Sequence, residues 1–211
     1  MPGANSKTIL FVFLIAVVMI GCGKRAIIRQ YYVIDFPVLS DSTQLAQPPL
    51  SDKICEVLPV RVSPAYAEKQ IALRTDSHEL KYYVYHFWAV KPENAFANLI
   101  ENYLQSKRLF TLISSQLWKT HPDYEISTRI YHLEAVKVNK HLNAHLHLDI
   151  ELTDTRNHQT VVVHSFDKYA PLPKRKVNLF AAVISQMLHR ELDVFSQKIR
   201  AYLLSLPKME K

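Results

Sequence analysis

A histidine-rich segment is the first place in this 211-residue sequence where side chains could carry chemistry. It reads HLNAHLHLDIEL and spans residues 141–152. Its even-numbered positions are all apolar and its odd-numbered positions are all polar, which predicts a β-strand with one buried face. The alternation places His145, His147 and Asp149 on one side of the strand, at steps of about 6.8 Å. Two imidazoles in an HxH pair offer two of the ligands that zinc requires.

Two interpretations of this polar face stay open. A metal or catalytic site needs a third and a fourth ligand, and the spacing does not say which of His132, His158 or His164 would supply them. A strand face exposed to water has the same alternation, so we favour a solvated face and keep its histidines and Asp149 as weak metal candidates. We predict no catalytic residue and no cofactor.

Cys22 is the second chemical feature. It follows Gly21 and an unbroken apolar run from Ile9 to Ile20, which is preceded by a short polar start with Lys7 as its one charged side chain. As a helix the run would rise about 18 Å, which is less than the hydrocarbon core of roughly 30 Å. We therefore predict a signal peptide over residues 1–21 and no resident transmembrane helix. A cysteine thiolate is a strong nucleophile that can form a thioether. The small residues Gly21 and Gly23 on either side of Cys22 leave room for an enzyme to reach it.

Composition limits the remaining possibilities. All three glycines precede residue 24, so the folded part contains neither a P-loop nor a GxGxxG or GxSxG motif. The net charge of +7 favours anionic surfaces or acidic partners, and nucleic acid is not expected as a partner of an exported protein. The other cysteine, Cys55, lies in an apolar stretch and is predicted to act as a small hydrophobic residue.

The mature chain is predicted to form one α/β domain over residues 31–207, behind a tether of residues 22–30, whose lipidation is implied by the lipobox resemblance given below. Short strands are expected up to residue 88, followed by a helix that begins at Pro92. Three longer strands near residues 125–139, 142–154 and 158–168 predict an antiparallel meander. Apolar residues at helical spacing then predict a long helix from about Val177 to Leu206.

An aromatic stretch, YYVYHFW at residues 82–88, lies in the last of the short strands. Alternation places Tyr82 and Trp88 on one side and Tyr85 on the other, so both faces carry rings. We favour a central strand that is covered on both sides. An open side would instead form an apolar patch, and Tyr82, Tyr85 and Trp88 are our candidates for contacting a partner or a lipid there.

The order of these motifs resembles the ABC-type transport auxiliary lipoprotein family, of the paraquat-inducible auxiliary type. The likeness covers nearly the whole mature chain and rests on a lipobox at Cys22, YYVIDFP at 31–37, QIALRT at 70–75, HEL at 78–80, the pair Trp88 and Ala89, the helix from Pro92, and the final meander with its long helix. The resemblance to a lipobox implies that Cys22 receives a diacylglyceryl group on sulfur, becomes the first residue after cleavage, and is acylated on nitrogen.

The family resemblance also implies a fold and a function. The implied fold is a single three-layer α/β domain with a mixed, largely antiparallel sheet. The implied role is non-enzymatic: a periplasm-facing lipoprotein, usually on the outer membrane, that assists an MCE-domain (mammalian cell entry) protein and its ABC permease and ATPase in moving phospholipid between membranes. Gly23 fits sorting to the outer membrane because it is not the aspartate that signals inner-membrane retention. No catalytic residues come with the family.

Two other functions stay open from the residues alone. One is a lipid-anchored, metal-dependent enzyme that uses the polar face of residues 141–151. The other is a purely structural envelope lipoprotein. The sequence leaves the oligomeric state open, a homo-oligomer included.

Overall fold

The computed structural model of the protein describes residues 28–37, 48–117, 120–139, 141–172 and 177–207. The predicted signal peptide, Cys22 and most of the predicted tether lie outside these residues. Within them, no helix combines the length and the hydrophobicity needed to cross a membrane.

Nine strands and two helices make up the described fold. The strands are β1 (Gln30–Tyr32), β2 (Ile54–Val57), β3 (Arg61–Val62), β4 (Gln70–Asp76), β5 (Glu79–Trp88), β6 (Leu112–Ser114), β7 (Tyr124–Val138), β8 (His141–Asp154) and β9 (Gln159–Pro171). The helices are α1 (Pro92–Ser106) and α2 (Val177–Ser205), and a short 3-10 helix spans Pro64–Tyr66. The predicted single α/β domain with a mixed sheet and two helices is confirmed.

Two of the predicted strands are shorter than their sequences indicate. The stretch ICEVLPVRV divides into β2 and β3 because Pro59, which has no amide hydrogen to donate, interrupts it. The stretch QYYVIDF contributes only the three residues of β1.

The long strand β7 holds the sheet together. One edge of β7 runs antiparallel to β8 over its whole length, and β8 in turn pairs antiparallel with β9. The other edge of β7 pairs in succession with β2, β3 and β4, all in parallel orientation. β5 and β1 continue the sheet beyond β4, and β6 continues it beyond β2.

A register shift between Ile130 and His132 explains why β7 lacks a regular alternation. An extra residue in one strand of a pair reverses which side chains face each side of the sheet. Before the shift Ile126 and Ile130 are buried, and after it Leu133 and Ala135 are buried. The bulge thus keeps apolar side chains on one face while the sequence changes from even to odd positions.

Both helices cover the same face of the sheet. The apolar stripe of α2 is fully buried against β8 and β9, and it consists of Phe180, Ile184, Leu188, Leu192, Phe195 and Ile199. β8 contributes Leu146, Leu148, Ile150 and Leu152 to the same core. α1 contacts α2, and the Tyr103 hydroxyl donates a hydrogen bond to Asp193. The opposite face is covered in part by the 3-10 helix, which contacts β4 and β7.

A polar contact fixes α2 to β9 within this core. Glu191 of α2 is buried, and its carboxylate lies 2.9 Å from Nε2 of His164 and accepts a hydrogen bond of 3.1 Å from Nζ of Lys168. Buried carboxylates are tolerated when donors satisfy them in this way. The contact defines where α2 sits along β9.

Replacing Phe195 by alanine tests the packing of α2. Phe195 has no exposed surface, so Phe195→Ala should lower the free energy of unfolding by about 3–5 kcal/mol. Chemical denaturation followed by circular dichroism measures the change. The adjacent Val194 is exposed, and Val194→Ala should change stability by less than about 0.5 kcal/mol. Equal losses in the two variants would contradict the assigned helix face.

Candidate functional site

The polar face of β8 is not simply solvated, which corrects the interpretation that we favoured. β8 lies between β7 and β9, and His145 on its polar side is buried, with only 3% of its surface exposed. The 3-10 helix and Tyr169 of β9 cover it there, because Tyr66 reaches its neighbour Glu134 and the Tyr169 ring stacks on the imidazole. The alternation of β8 gave no sign of this cover because it comes from distant segments.

Glu134 of β7 is the centre of the buried polar cluster. Its side chain is 1% exposed, and it accepts hydrogen bonds from the Tyr66 hydroxyl at 2.8 Å and from Nε of Arg74 at 2.8 Å. Nδ1 of His145 lies 3.1 Å from the same carboxylate, and Nε2 of His145 lies 2.8 Å from Oδ1 of Asp167. Arg74 also donates a hydrogen bond of 2.9 Å to the Tyr66 hydroxyl. We call these five residues the Glu134 cluster.

Aromatic rings extend the cluster along the sheet. The Tyr169 ring stacks on His145 with centroids 4.0 Å apart and planes 10° apart, and His132 stacks on the other side at 4.8 Å. The His147 ring lies 4.6 Å from that of Tyr131. Cross-strand neighbours of this kind stabilise a sheet. The histidines therefore pack as rings as well as forming hydrogen bonds.

The ionisation of the cluster follows from its contacts. Burial alone would raise the pKa of Glu134, but hydrogen bonds from His145, Arg74 and Tyr66 outweigh it and lower that pKa to about 2. The hydrogen bond from His145 lowers the pKa of Asp167. Burial, together with the nearby His145, lowers the pKa of His132. A charged carboxylate at Glu134 is thus the stable state near neutral pH.

This arrangement bears on the three metal candidates. Both ring nitrogens of His145 lie next to carboxylates, and His147 has Asp167 at 3.6 Å. Asp149 belongs to a different place, a cavity lined by β3, β7 and β8. Among residues 28–37, 48–117, 120–139, 141–172 and 177–207, no group of three or more His, Cys, Asp or Glu side chains is placed to hold a metal ion.

The aromatic strand β5 also differs from the prediction. Tyr82, Val84 and Tyr85 are exposed by 42%, 64% and 41%, so β5 is not the covered central strand that we favoured. Trp88 is only 2% exposed and packs on Phe180 of α2 with ring centroids 5.5 Å apart. Trp88 was a wrong candidate for a surface contact, whereas Tyr82 and Tyr85 do lie on the surface.

A large register shift between β4 and β5 separates these aromatic residues. Gln70 pairs with Phe87 and Ala72 pairs with Tyr82, so two steps along β4 correspond to five along β5, an excess of three. An odd excess reverses the faces of the strand. Tyr82 accordingly donates a hydrogen bond of 3.0 Å to the Ala65 carbonyl near the 3-10 helix, whereas Trp88 faces α2.

Sequence reasoning missed the residues that complete the cluster. Glu134 lies in an apolar part of β7, in the run LEAV, and a charged residue among buried neighbours is a signal that could have identified it. Arg74 and Tyr66 carry no such signal, because their approach to Glu134 depends on the parallel pairing of β4 with β7.

The chain matches one known protein family. The model of the family described as the ABC-type transport auxiliary lipoprotein component matches residues 32–193. The chain belongs to this family. As a member, it is an auxiliary lipoprotein of a bacterial ABC-type transport system and a protein of the cell envelope. No curated protein sequence matches the chain significantly.

Solved structures share the fold of this family member. The crystal structure of protein XCC0632 from Xanthomonas campestris, of the family DUF330, is similar with a TM-score of 0.67 and 16% identity, over 83% of this chain and 99% of that one. A second crystal structure, of an uncharacterized protein, has a TM-score of 0.65 and 13% identity, over 82% of this chain and 99% of the other. At these identities the likeness concerns the fold alone.

The Glu134 cluster can be tested through stability. Glu134→Gln should lower the free energy of unfolding by about 3 kcal/mol at neutral pH, because it removes one partner of a buried ion pair. The pKa of Glu134 is about 2 in the folded protein and about 4.3 in the unfolded chain. The stabilisation of the fold by the Glu134 carboxylate is thus complete above about pH 4.3 and is lost as the pH falls towards 2. Urea denaturation at a series of pH values should show that, between about pH 4.3 and pH 2, the free energy of unfolding falls less in the variant than in the unaltered protein.

Glu68 provides the control for this measurement. It is exposed and lies 3.9 Å from Lys91, so Glu68→Gln should change stability by less than about 0.5 kcal/mol. A Glu134→Gln protein as stable as the control, with an unchanged pH profile, would contradict the central role of Glu134.

Proposed function

We propose that this protein is a non-enzymatic, lipid-anchored accessory of an intermembrane phospholipid transport system. Its partners would be an MCE-domain protein and the permease and ATPase of an ABC transporter. Acylated Cys22 would hold it on the periplasmic side of the outer membrane. The observation that carries the proposal is the family match over residues 32–193, to which the lipobox at Cys22 adds the anchor.

The short tether supports a role close to the membrane. Only seven residues, or eight Cα-to-Cα steps, separate Cys22 from Gln30, where β1 begins. Even a fully extended chain of this length spans at most about 28 Å. The anchor therefore keeps the start of β1, and His86 of β5 that pairs with it, within about this distance of Cys22.

The exposed aromatic side chains of β5 support a docking role at this end of the sheet. Val84 and Tyr85 of β5 are exposed, as is Tyr31 of β1, whose ring lies 5.8 Å from that of Phe87. Exposed apolar patches of this kind mark protein or membrane contacts, and aromatic residues are enriched at such contacts. We assign this surface, with Tyr82 at its margin, to the MCE-domain partner.

Substitution of Cys22 tests the anchor. Cys22→Ala removes the sulfur that would carry lipid, so the protein should move from the membrane fraction to the soluble fraction of the cells that produce it. Two or more acyl chains are needed for stable anchoring, and the variant would carry none. Cys55 is the matched control, because it is buried in the domain and Cys55→Ala should leave the protein in the membrane fraction. Mass spectrometry that finds an intact leader or an unmodified Cys22 thiol would overturn the assignment.

Substitution on β5 tests the docking surface. The double variant Val84→Ser, Tyr85→Ser should copurify at least about tenfold less of the MCE-domain protein than the unaltered lipoprotein, because apolar and aromatic contacts dominate binding. Leu204→Ser, near the end of α2, removes an equally exposed apolar side chain and should copurify the normal amount. Normal copurification by the β5 variant would place docking elsewhere. If the unaltered protein captured no MCE-domain protein at all, the proposed function would fail.

A further inference from the structure

A groove of about 540 Å³ opens on the face of the sheet opposite the helices. It lies between the loop that joins β2 to β3 and the polar faces of β7 and β8. Arg61, Arg129, Asp149 and Glu151 line it, with the ring of Tyr131. The groove is separate from the Glu134 cluster, and it combines two positive with two negative side chains.

Three of these charged residues form one row across the sheet. Arg61 pairs with Arg129 in the parallel ladder between β3 and β7, and Arg129 pairs with Asp149 in the antiparallel ladder between β7 and β8. Adjacent strands lie about 4.8 Å apart, so the two arginines are direct neighbours on the same face. Like charges in this arrangement are destabilising unless an anion lies between them.

The two arginines have no carboxylate partner among the residues that the structure describes. The ion pairs found there join other groups, and neither Arg61 nor Arg129 takes part in one. Arg129 instead places its guanidinium 5.9 Å from the centre of the Tyr131 ring. Both arginines are exposed at the rim of the groove, where they are free to bind an anion from outside.

Asp149 offers the opposite charge from a more buried position. Its Oδ1 atom is buried and has no hydrogen-bond partner in the described part of the chain. The carboxylate of Asp149 therefore lacks part of its hydrogen-bond donors, and its half-buried side chain lines the groove, where a cationic donor from a ligand can neutralise it. Glu151 lies two residues along the same face of β8 and adds negative charge nearby.

We propose that this groove binds a phosphoethanolamine group, with its phosphate between Arg61 and Arg129 and its ammonium on Asp149. The depth of the charges fits the order of the groups in such a headgroup. The ammonium is terminal and enters first to reach the half-buried side chain of Asp149, while the phosphate stays at the rim between the exposed arginines. The glycerol and any acyl chains remain outside the groove. The identification of the source as a membrane phospholipid rests on the proposed function.

The groove chemistry predicts selectivity among headgroups. A phosphoglycerol group brings the phosphate and no cation for Asp149. A phosphocholine group brings a cation without N–H bonds, so it cannot donate a hydrogen bond to the Asp149 carboxylate. Inorganic phosphate would use the two arginines alone. Only a primary ammonium at the correct separation from the phosphate satisfies both ends of the charged row.

Calorimetric titration of the full-length lipoprotein in detergent tests the proposal. The probes are glycerophosphoethanolamine, glycerophosphocholine, glycerophosphoglycerol and inorganic phosphate. The ethanolamine ester should bind at least about tenfold more tightly than each of the others, the size expected for a hydrogen bond between charged groups. Equal affinities for the ethanolamine and glycerol esters would overturn the role of Asp149, and the absence of binding by any phosphate ester would overturn the site.

Variants test which residues bind the ammonium and which bind the phosphate. Asp149→Asn should weaken binding of the ethanolamine ester about tenfold and leave the glycerol ester unchanged, whereas Arg61→Gln and Arg129→Gln should weaken every phosphate ester. Asp76→Asn and Arg190→Gln remove the same charges from exposed positions outside the groove and should bind normally. Thermal unfolding of each variant identifies any loss of fold. Weaker binding in the control variants would overturn the location.

Vesicles identify the source of the phosphate group. The unaltered protein should retain vesicles that contain phosphatidylethanolamine better than vesicles of phosphatidylcholine alone, which have the same net charge, and Asp149→Asn should abolish the difference. If the soluble ester binds and the vesicles show no such difference, the lipid source is overturned. Failure of the groove and failure of the proposed function remain distinguishable, because capture of an MCE-domain protein does not depend on Asp149.

Discussion

The arrangement of this molecule depends on one constraint: both helices pack on the same face of the sheet. That face takes up the apolar residues of β8 and the stripe of α2, and it forms the hydrophobic core. In the part of the chain that the structure describes, the short 3-10 helix is the element that covers the opposite face, so the polar residues of β7 and β8 find other partners there. Where the cover is present, around Glu134, the charges are buried and satisfied. Where it is absent, the charged groove stays open.

The covered and the uncovered parts of this face therefore have different roles, the first in stability and the second in recognition. The Glu134 carboxylate joins the 3-10 helix, β4, β7 and β8, and His145 extends the cluster to Asp167 of β9, which fits a structural role in a sheet assembled from distant segments. The groove at Asp149 and the exposed aromatic residues of β5 remain available for other molecules. Surfaces of this kind are what the proposed accessory role requires.

Local sequence patterns predicted the elements whose environment is regular. The alternation of β8 and the apolar spacing of α1 and α2 identified these elements to within a few residues, because each buries one continuous face. The patterns were less informative where register shifts occur. The irregular pairing of β4 with β5 moved Trp88 into the core, and cover from distant residues buried His145. Such effects depend on which segments meet, and a single strand pattern does not contain that information.

The succession of partners along β7 also has a consequence for how the chain acquires its structure after export. β2, β3 and β4 pair with one edge of β7, yet they precede it by many residues. A polypeptide that enters a compartment amino terminus first must therefore keep these early strands without their main partner until residues 124–138 have emerged. Contacts between remote segments form slowly and leave unpaired edges accessible in the meantime. We therefore expect the newly translocated polypeptide to depend at this stage on chaperones of the compartment that it enters.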